Sequence, residues 1–92
     1  MPKVVVTAQV EDPVKWEKNF KTHGSLFRSQ TVTKPVSFAT IDGNYVAVCL
    51  EPEDLDTCMK ILDSPATAEA MTFDGVKRET VKVFVLDKEL KV

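Results

Sequence analysis

The single histidine of this sequence, His23, is the side chain best suited to acid–base chemistry, because the ordinary pKa of histidine lies closest to neutral pH. Trp16, Phe20 and Phe27 lie at helical spacing around it, which places all four side chains on one face of a helix. An ionisable ring among aromatic rings indicates a polar group in an apolar pocket, able to accept a proton from a ligand or to orient it. We therefore expect His23 to be the catalytic candidate, with Trp16, Phe20 and Phe27 as ligand-binding candidates.

A structural role for the same four residues is the alternative. A buried histidine is often satisfied by a backbone carbonyl or by a strand hydroxyl such as that of Thr40, and aromatic residues at helical spacing are more often plain core. Burial disfavours the charged imidazole, so His23 should be neutral at pH 7 unless a carboxylate lies close by. A cavity of at least about 300 Å³ beside His23 would favour a ligand site, whereas a packed core would favour the structural role.

No other group of residues predicts a metal site or a nucleophile. Cys49 and Cys58 are the only two cysteines, too few for a structural zinc site, and we expect them to be small core residues. Four acids near the middle of the chain lack the spacing of a calcium loop and are expected to form a solvated helix start. They are Glu51, Glu53, Asp54 and Asp56. We expect neither a metal nor an organic cofactor.

Composition limits the classes to which the chain can belong. Ninety-two residues, 43% hydrophobic and 28% charged, are enough for one globular domain, predicted over 1–92. The net charge of −2 and the lack of a basic run predict no binding to nucleic acid. The longest apolar run near the start is Val4-Val5-Val6, so neither a signal peptide nor a membrane span is predicted, and we expect a cytoplasmic protein.

The hydrophobic pattern predicts the element order β-α-β-β-α-β. The predicted strands are 3–10, 36–41, 45–51 and 79–86, with a turn at Asp42-Gly43-Asn44 between the second and third. Asp12 and Pro13 are typical of a helix start. We expect that first helix to run past Gly24 to about Arg28, in preference to ending near His23. A second helix should open at Pro52-Glu53-Asp54, and a short one should follow Ser64-Pro65 and end at Gly75.

This order predicts a ferredoxin-like α+β fold, a four-stranded antiparallel sheet with two main helices on one face. Val46, Val48 and Leu50 should face the helices, as should the valines at 81, 83 and 85. The opposite face would then carry Tyr45, Phe84 and Leu86, together with Cys49. An exposed apolar patch of this kind usually marks an interface, so we expect a homodimer joined through this sheet face.

With these elements in place, the sequence resembles the dimeric α+β barrel superfamily, which includes the antibiotic biosynthesis monooxygenase-like proteins. The resemblance is carried by Asp12-Pro13 with Trp16, Phe20 and His23, and by the segment from Ser64-Pro65 through Ala70-Met71 to Gly75-Val76. It implies a dimeric α+β barrel with a ligand pocket between the helices and the sheet of each subunit. The haem-degrading members differ, since they use an asparagine on the first strand, which this chain lacks.

Three functions follow from these observations. The first, which the resemblance favours, is a cofactor-free monooxygenase-like enzyme acting on an aromatic or polyketide-like molecule. The second is a module that binds or senses a small apolar ligand without chemistry. The third is a structural dimerisation protein that has no ligand.

Overall fold

The computed structural model describes residues 3–92; the first two residues of the predicted domain 1–92 lie outside this range. Its sheet has four strands in the order β2-β3-β1-β4, and every neighbouring pair is antiparallel. The strands are β1 (Lys3–Val10), β2 (Ser37–Ile41), β3 (Tyr45–Leu50) and β4 (Val76–Leu86). β2 and β3 form the predicted hairpin, in which Gly43 and Asn44 adopt positive φ angles of 83° and 63°. The predicted ferredoxin-like arrangement is confirmed.

Within residues 3–92, four helices connect these strands, one more than the two main helices and the short one after Ser64-Pro65 that were predicted. They are α1 (Pro13–Phe20), α2 (Gly24–Ser29), α3 (Leu55–Leu62) and α4 (Pro65–Phe73). Asp12 caps α1 as predicted, because its carboxylate accepts hydrogen bonds from the backbone N–H groups of Val14 and Lys15. Asp54 caps α3 in the same way, which places the first helical residue, Leu55, three residues after Pro52. Within residues 3–92, no helix is long and apolar enough to span a membrane.

The predicted continuous helix from Pro13 to about Arg28 is wrong. α1 ends at Phe20, and a tight turn follows in which the backbone N–H of His23 donates to the carbonyl of Phe20 over 3.1 Å. The hydroxyl of Thr22 also donates to the carbonyl of Asn19, which removes that carbonyl from the helical pattern. Gly24 is a poor residue for a helix interior, and it becomes the first residue of α2.

β4 begins three residues earlier than the predicted 79–86. Its register with β1 shifts between Thr7 and Gln9, because Thr7 pairs with Lys82 whereas Gln9 pairs with Lys77. The hydroxyl of Thr80 holds this irregularity, accepting from the backbone N–H of Gln9 and donating to the carbonyl of Lys77. A bulge interrupts the alternation of side chains, which explains why the sequence pattern missed the first part of the strand.

The core lies between the helices and one face of the sheet. Val46, Val48 and Leu50 are all buried there, which confirms their predicted direction. Val83 shares this side with its partner Val6 but is 40% exposed, because β4 is an edge strand that the helices cover only in part. The remaining core positions include Val4, Ala8, Val10, Trp16, Val32 and Cys58.

The other face of the sheet carries apolar side chains that no helix or strand within residues 3–92 covers. Cys49 pairs with Val5, which in turn pairs with Phe84, so these three side chains form a row across the sheet. Phe84 is 49% exposed, and Tyr45, Leu86 and Ile41 are exposed as well. Cys58 is fully buried in the core on the helix side, as expected, whereas Cys49 is only half-buried on the outer face, so the sheet separates the two free cysteines.

A candidate active site between the helices and the sheet

His23 lies in the turn between α1 and α2, and its side chain is paired with a carboxylate. Nε2 of His23 is 2.9 Å from both Oδ1 and Oδ2 of Asp74, the residue that ends α4. Asp74 is buried, whereas the His23 side chain remains 17% exposed. The predicted alternatives, a backbone carbonyl or the hydroxyl of Thr40, are wrong: the partner is Asp74.

The hydrogen bond to Asp74 decides which nitrogen of His23 is available for chemistry. A carboxylate beside Nε2 favours a proton on that nitrogen. In the neutral ring Nδ1 is then the acceptor, and within residues 3–92 no hydrogen bond occupies it. The arrangement can therefore take a proton at Nδ1 and stabilise the resulting imidazolium through Asp74.

Burial has the largest effect on the pKa of Asp74. It raises the pKa of this carboxyl group above its usual range, because the charged form loses solvation, while the hydrogen bond and the charge of His23 oppose the shift. A buried carboxylate with one ionisable partner is a common arrangement at catalytic sites, although structural pairs also show it.

The three predicted aromatic residues form a continuous wall beside this pair. Trp16 is 2% exposed and stacks on Phe20 with ring centroids 4.8 Å apart. Phe27 meets the ring of Phe20 edge-on at 5.3 Å. Phe38 of β2 adds edge contacts to both Trp16 and Phe20, at 5.7 and 5.2 Å. Phe38 could not be grouped with the site from its spacing, because it lies on a different element.

A cavity of about 80 Å³ lies between this wall and the sheet. All four predicted site residues line it, even though the helix that should have carried them is broken. Asp74 and Gln30 also line it, and the rest of the lining is mostly aliphatic. The volume is well below the roughly 300 Å³ that would favour a ligand site, so by itself it favours the structural role, and a ligand with a ring must displace side chains. Met71, in the lining, is a flexible side chain suited to such movement.

The chain shows no cluster of metal-ligating side chains within residues 3–92. The acids that follow β3 have structural roles. Glu51 forms ion pairs with Lys3 and Lys34, and these cations lower the pKa of its carboxyl group. Asp54 accepts the helix-capping hydrogen bond from Thr57, which likewise lowers its pKa.

Solved structures share the fold of this chain over nearly its whole length. A proposed antibiotic biosynthesis monooxygenase from Bordetella bronchiseptica superposes with a TM-score of 0.75 at 15% identity, covering 97% of each chain. SnoaB, a cofactor-independent oxygenase from Streptomyces nogalater, gives 0.70 at 16% identity, covering 99% of this chain and 95% of its own. This chain has the antibiotic biosynthesis monooxygenase-like fold.

A third structure, a proposed antibiotic biosynthesis monooxygenase from Deinococcus radiodurans, gives a TM-score of 0.67 at 9% identity, over 100% of this chain and 96% of that one. No protein-family profile and no curated protein matches the sequence. At identities this low the likeness concerns the fold of the single chain, which agrees with the predicted ferredoxin-like α+β fold. Any chemistry must be argued from the side chains of this chain.

The raised pKa of Asp74 predicts a pH dependence of stability. The folded state holds this proton more tightly than the unfolded chain, whose aspartates titrate at about 3.9. The stabilising contribution of Asp74 is therefore complete below that pH and is lost as the pH rises through the raised folded pKa. Relative to Asp74→Asn, the wild type should lose free energy of unfolding from pH 4 upward, measured by urea denaturation at each pH.

The matched control is Asp63→Asn, which removes a carboxylate from the exposed end of α3. A wild type that gains stability relative to Asp74→Asn as the pH rises would show that the pairing with His23 outweighs burial, and the predicted direction would be wrong.

Proposed function

We propose that this chain is a small oxygenase-like enzyme that uses no resident cofactor, and that His23 is its general base. The observation that carries the proposal is the hydrogen-bonded pair of His23 and buried Asp74 at the wall of an apolar cavity. A base needs an orienting partner as well as a suitable pKa, and Asp74 supplies the first. The shared fold with SnoaB, a cofactor-independent oxygenase, supports the class of reaction.

The step assigned to this chain is a proton transfer. Nδ1 of His23 takes a proton from an acidic C–H group of an aromatic substrate, leaving a resonance-stabilised carbanion, and Asp74 stabilises the imidazolium that forms. The carbanion is electron-rich enough to reduce dioxygen, the co-substrate. Overall, CH₂ and O₂ give C=O and H₂O: carbon loses four electrons and dioxygen gains them. Trp16, Phe20 and Phe27 supply the aromatic surface against which the substrate ring packs.

Oxygen consumption provides the direct test. 2-Indanone and anthrone both carry an acidic CH₂ group between an aromatic ring and a carbonyl or a second ring, and they differ in size. We expect the wild type to accelerate oxygen uptake with at least one of them above the rate in buffer. The proposal would be contradicted if oxygen uptake with each compound were no faster than in buffer and neither compound changed the melting temperature.

The structural alternative is supported by one specific observation, the cavity volume of about 80 Å³. An apolar cavity of about 150 Å³ is needed to hold benzene, so the cavity as it stands is too small for a ring. If the chain serves only as a dimerisation domain, no aromatic compound should stabilise it. A ligand-binding module without chemistry would be stabilised but would consume no oxygen.

We also propose that the chain forms a homodimer through the outer face of the sheet. The exposed Phe84, Tyr45 and Leu86 are the apolar side chains that such an interface would cover. Light scattering at micromolar concentration should return about twice the chain mass of 10.3 kDa. Phe84→Glu should halve that mass, because it places a charge in the interface.

Phe73→Glu is the control for the dimer, since Phe73 is also an exposed phenylalanine, at 62% against 49% for Phe84, and lies on α4, away from the outer sheet face. A wild type of 10.3 kDa, or a mass that falls equally in both variants, would overturn the assignment of this face.

A further inference from the structure

Gln30 has a buried polar side chain whose amide oxygen, Oε1, has no hydrogen-bond partner within residues 3–92. The residue is 1% exposed, and its Oε1 makes no hydrogen bond with any of residues 3–92. Leaving such an acceptor unsatisfied is costly, and most buried polar atoms in folded proteins are paired. Gln30 is therefore placed where an apolar side chain of similar size would stabilise the fold better.

The backbone beside Gln30 is also in an unfavourable conformation. Gln30 ends α2, and the next residue, Thr31, has a φ angle of +65°, a region that β-branched residues rarely adopt. Thr31 is held there by contacts with the loop before α3. Its carbonyl accepts from the N–H of Glu53 at 3.0 Å, and its hydroxyl accepts from the N–H of Asp54 at 2.9 Å. These bonds fix the end of α2 and, with it, the position of Gln30.

Gln30 lines the same cavity as His23 and the aromatic wall. Apart from Nδ1 of His23, the other polar side-chain groups in the lining are already engaged. Thr67 donates its hydroxyl to the carbonyl of Ile61, and the carboxylate of Asp74 accepts from His23. Oε1 of Gln30 and Nδ1 of His23 are therefore the acceptors left for a molecule that enters the cavity, and the proposed reaction uses Nδ1.

We propose that Gln30 selects the ligand of this cavity: Oε1 accepts a hydrogen bond from a hydroxyl or N–H group on an otherwise apolar ring. The inference deepens the proposed function, on which it rests for the existence of an aromatic substrate. A ligand held this way presents one polar group to Gln30 and an apolar body to Trp16, Phe20 and Phe27. A ring without a donor leaves Oε1 unsatisfied and should be rejected.

The test compares phenol with toluene, which have nearly the same shape and differ only in OH against CH₃. Dissociation constants are measured by calorimetry for the wild type and for Gln30→Leu. Because the cavity is small, the same pair is measured in Met71→Ala and in Met71→Ala combined with Gln30→Leu, where the shortened side chain makes room for a ring. We expect proteins with Gln30 to prefer phenol by about 5- to 100-fold, the value of one buried hydrogen bond.

Gln30→Leu should abolish or reverse this preference and should raise the melting temperature, since it removes the unsatisfied oxygen. Equal affinity for phenol and toluene in both Gln30 proteins, including failure of both to bind, would overturn the proposal. So would a preference for phenol that persists in the Leu variants.

Failure of this binding test can be told apart from failure of the oxygen-uptake test. A phenol preference that depends on Gln30, together with no oxygen uptake from 2-indanone or anthrone, would leave the inference standing and remove the enzymatic function. Oxygen uptake together with a ligand preference that does not depend on Gln30 would leave the enzymatic function standing and remove the inference about Gln30.

Discussion

Replacing His23 by glutamine should lower the rate of substrate-dependent oxygen uptake by about 10²–10⁴-fold, the usual contribution of a general base. Glutamine can still donate a hydrogen bond to the buried Asp74, so the fold should be retained, but an amide cannot accept a proton at neutral pH. The measurement is oxygen consumption with 2-indanone or anthrone, with circular dichroism and light scattering to verify the fold and the assembly.

Two further variants separate catalysis from structure. His23→Ala leaves Asp74 without its partner and should cost about 1–3 kcal/mol of folding free energy in addition to activity. Asp74→Asn retains a side chain of the same shape but removes the charge that stabilises the imidazolium, so it should lower the rate without a comparable loss of stability. Full activity in His23→Gln would exclude His23 as the base, whatever the stability of His23→Ala.

The dependence of the rate on pH distinguishes a positioning role from a structural one for Asp74. A carboxylate that orients and stabilises the imidazolium should shift the acidic limb of the pH–rate profile when it is neutralised to Asn. A residue that only holds α4 in place would lower the rate equally at every pH.

The sequence was sufficient to group the aromatic side chains with His23, and helical periodicity explains why. Trp16 and Phe20 are one helical turn apart on α1, so the break after Phe20 cannot separate them. His23 and Phe27 are themselves one turn apart on the segment that becomes α2, where the N–H of Phe27 donates to the carbonyl of His23. The turn joins two short helices whose apolar faces both point to the sheet, so an incorrect helix boundary left the cavity assignment unchanged.

The polar part of the site could not be predicted in the same way. Asp74 is 51 residues from His23 in the sequence, and Asp74-Gly75 has the ordinary pattern of a helix end. Gly75, with a φ angle of +76°, terminates α4 there. An aspartate just before such a glycine therefore needs no functional explanation, and nothing in the local sequence marks Asp74 as part of a site. Only the packing of α4 against the turn after α1 brings the carboxylate to the imidazole.

Gln30 was missed for a related reason. A glutamine at a helix end is usually solvated, and neither its neighbours nor its spacing indicates burial. Its position follows from Val32, which forms a bridge with Pro52 and is buried, and from the hydrogen bonds that bind Thr31 to the α3 loop. These contacts draw the end of α2 inward, and they are long-range in the sequence.

Trp16→Ala should reduce the free energy of unfolding by about 3–5 kcal/mol, the usual cost of deleting a large buried aromatic side chain. Trp16 is the most deeply buried of the three aromatic candidates: it stacks on Phe20 and meets the edge of Phe38, whereas Phe20 and Phe27 remain partly accessible. Trp16 lines the cavity, but its deeper burial means that it should contribute more to stability than to ligand binding, whereas Phe20 and Phe27 should carry most of the contact with a ligand. Urea denaturation measures the loss, and light scattering checks that the variant keeps the mass of the wild type.

Trp16→Phe and Phe27→Leu make this prediction testable even if Trp16→Ala fails to fold. Trp16→Phe keeps the stacking partner of Phe20 and should recover most of the stability, at a cost of about 1–2 kcal/mol. Phe27→Leu removes an edge contact at the more accessible end of the wall, so it should cost less stability but weaken phenol binding in the Met71→Ala background. The opposite result, a stable Trp16→Phe that loses phenol affinity beside a Phe27→Leu that keeps it, would show that the ligand packs mainly against Trp16 and that the predicted division between core and binding surface is wrong.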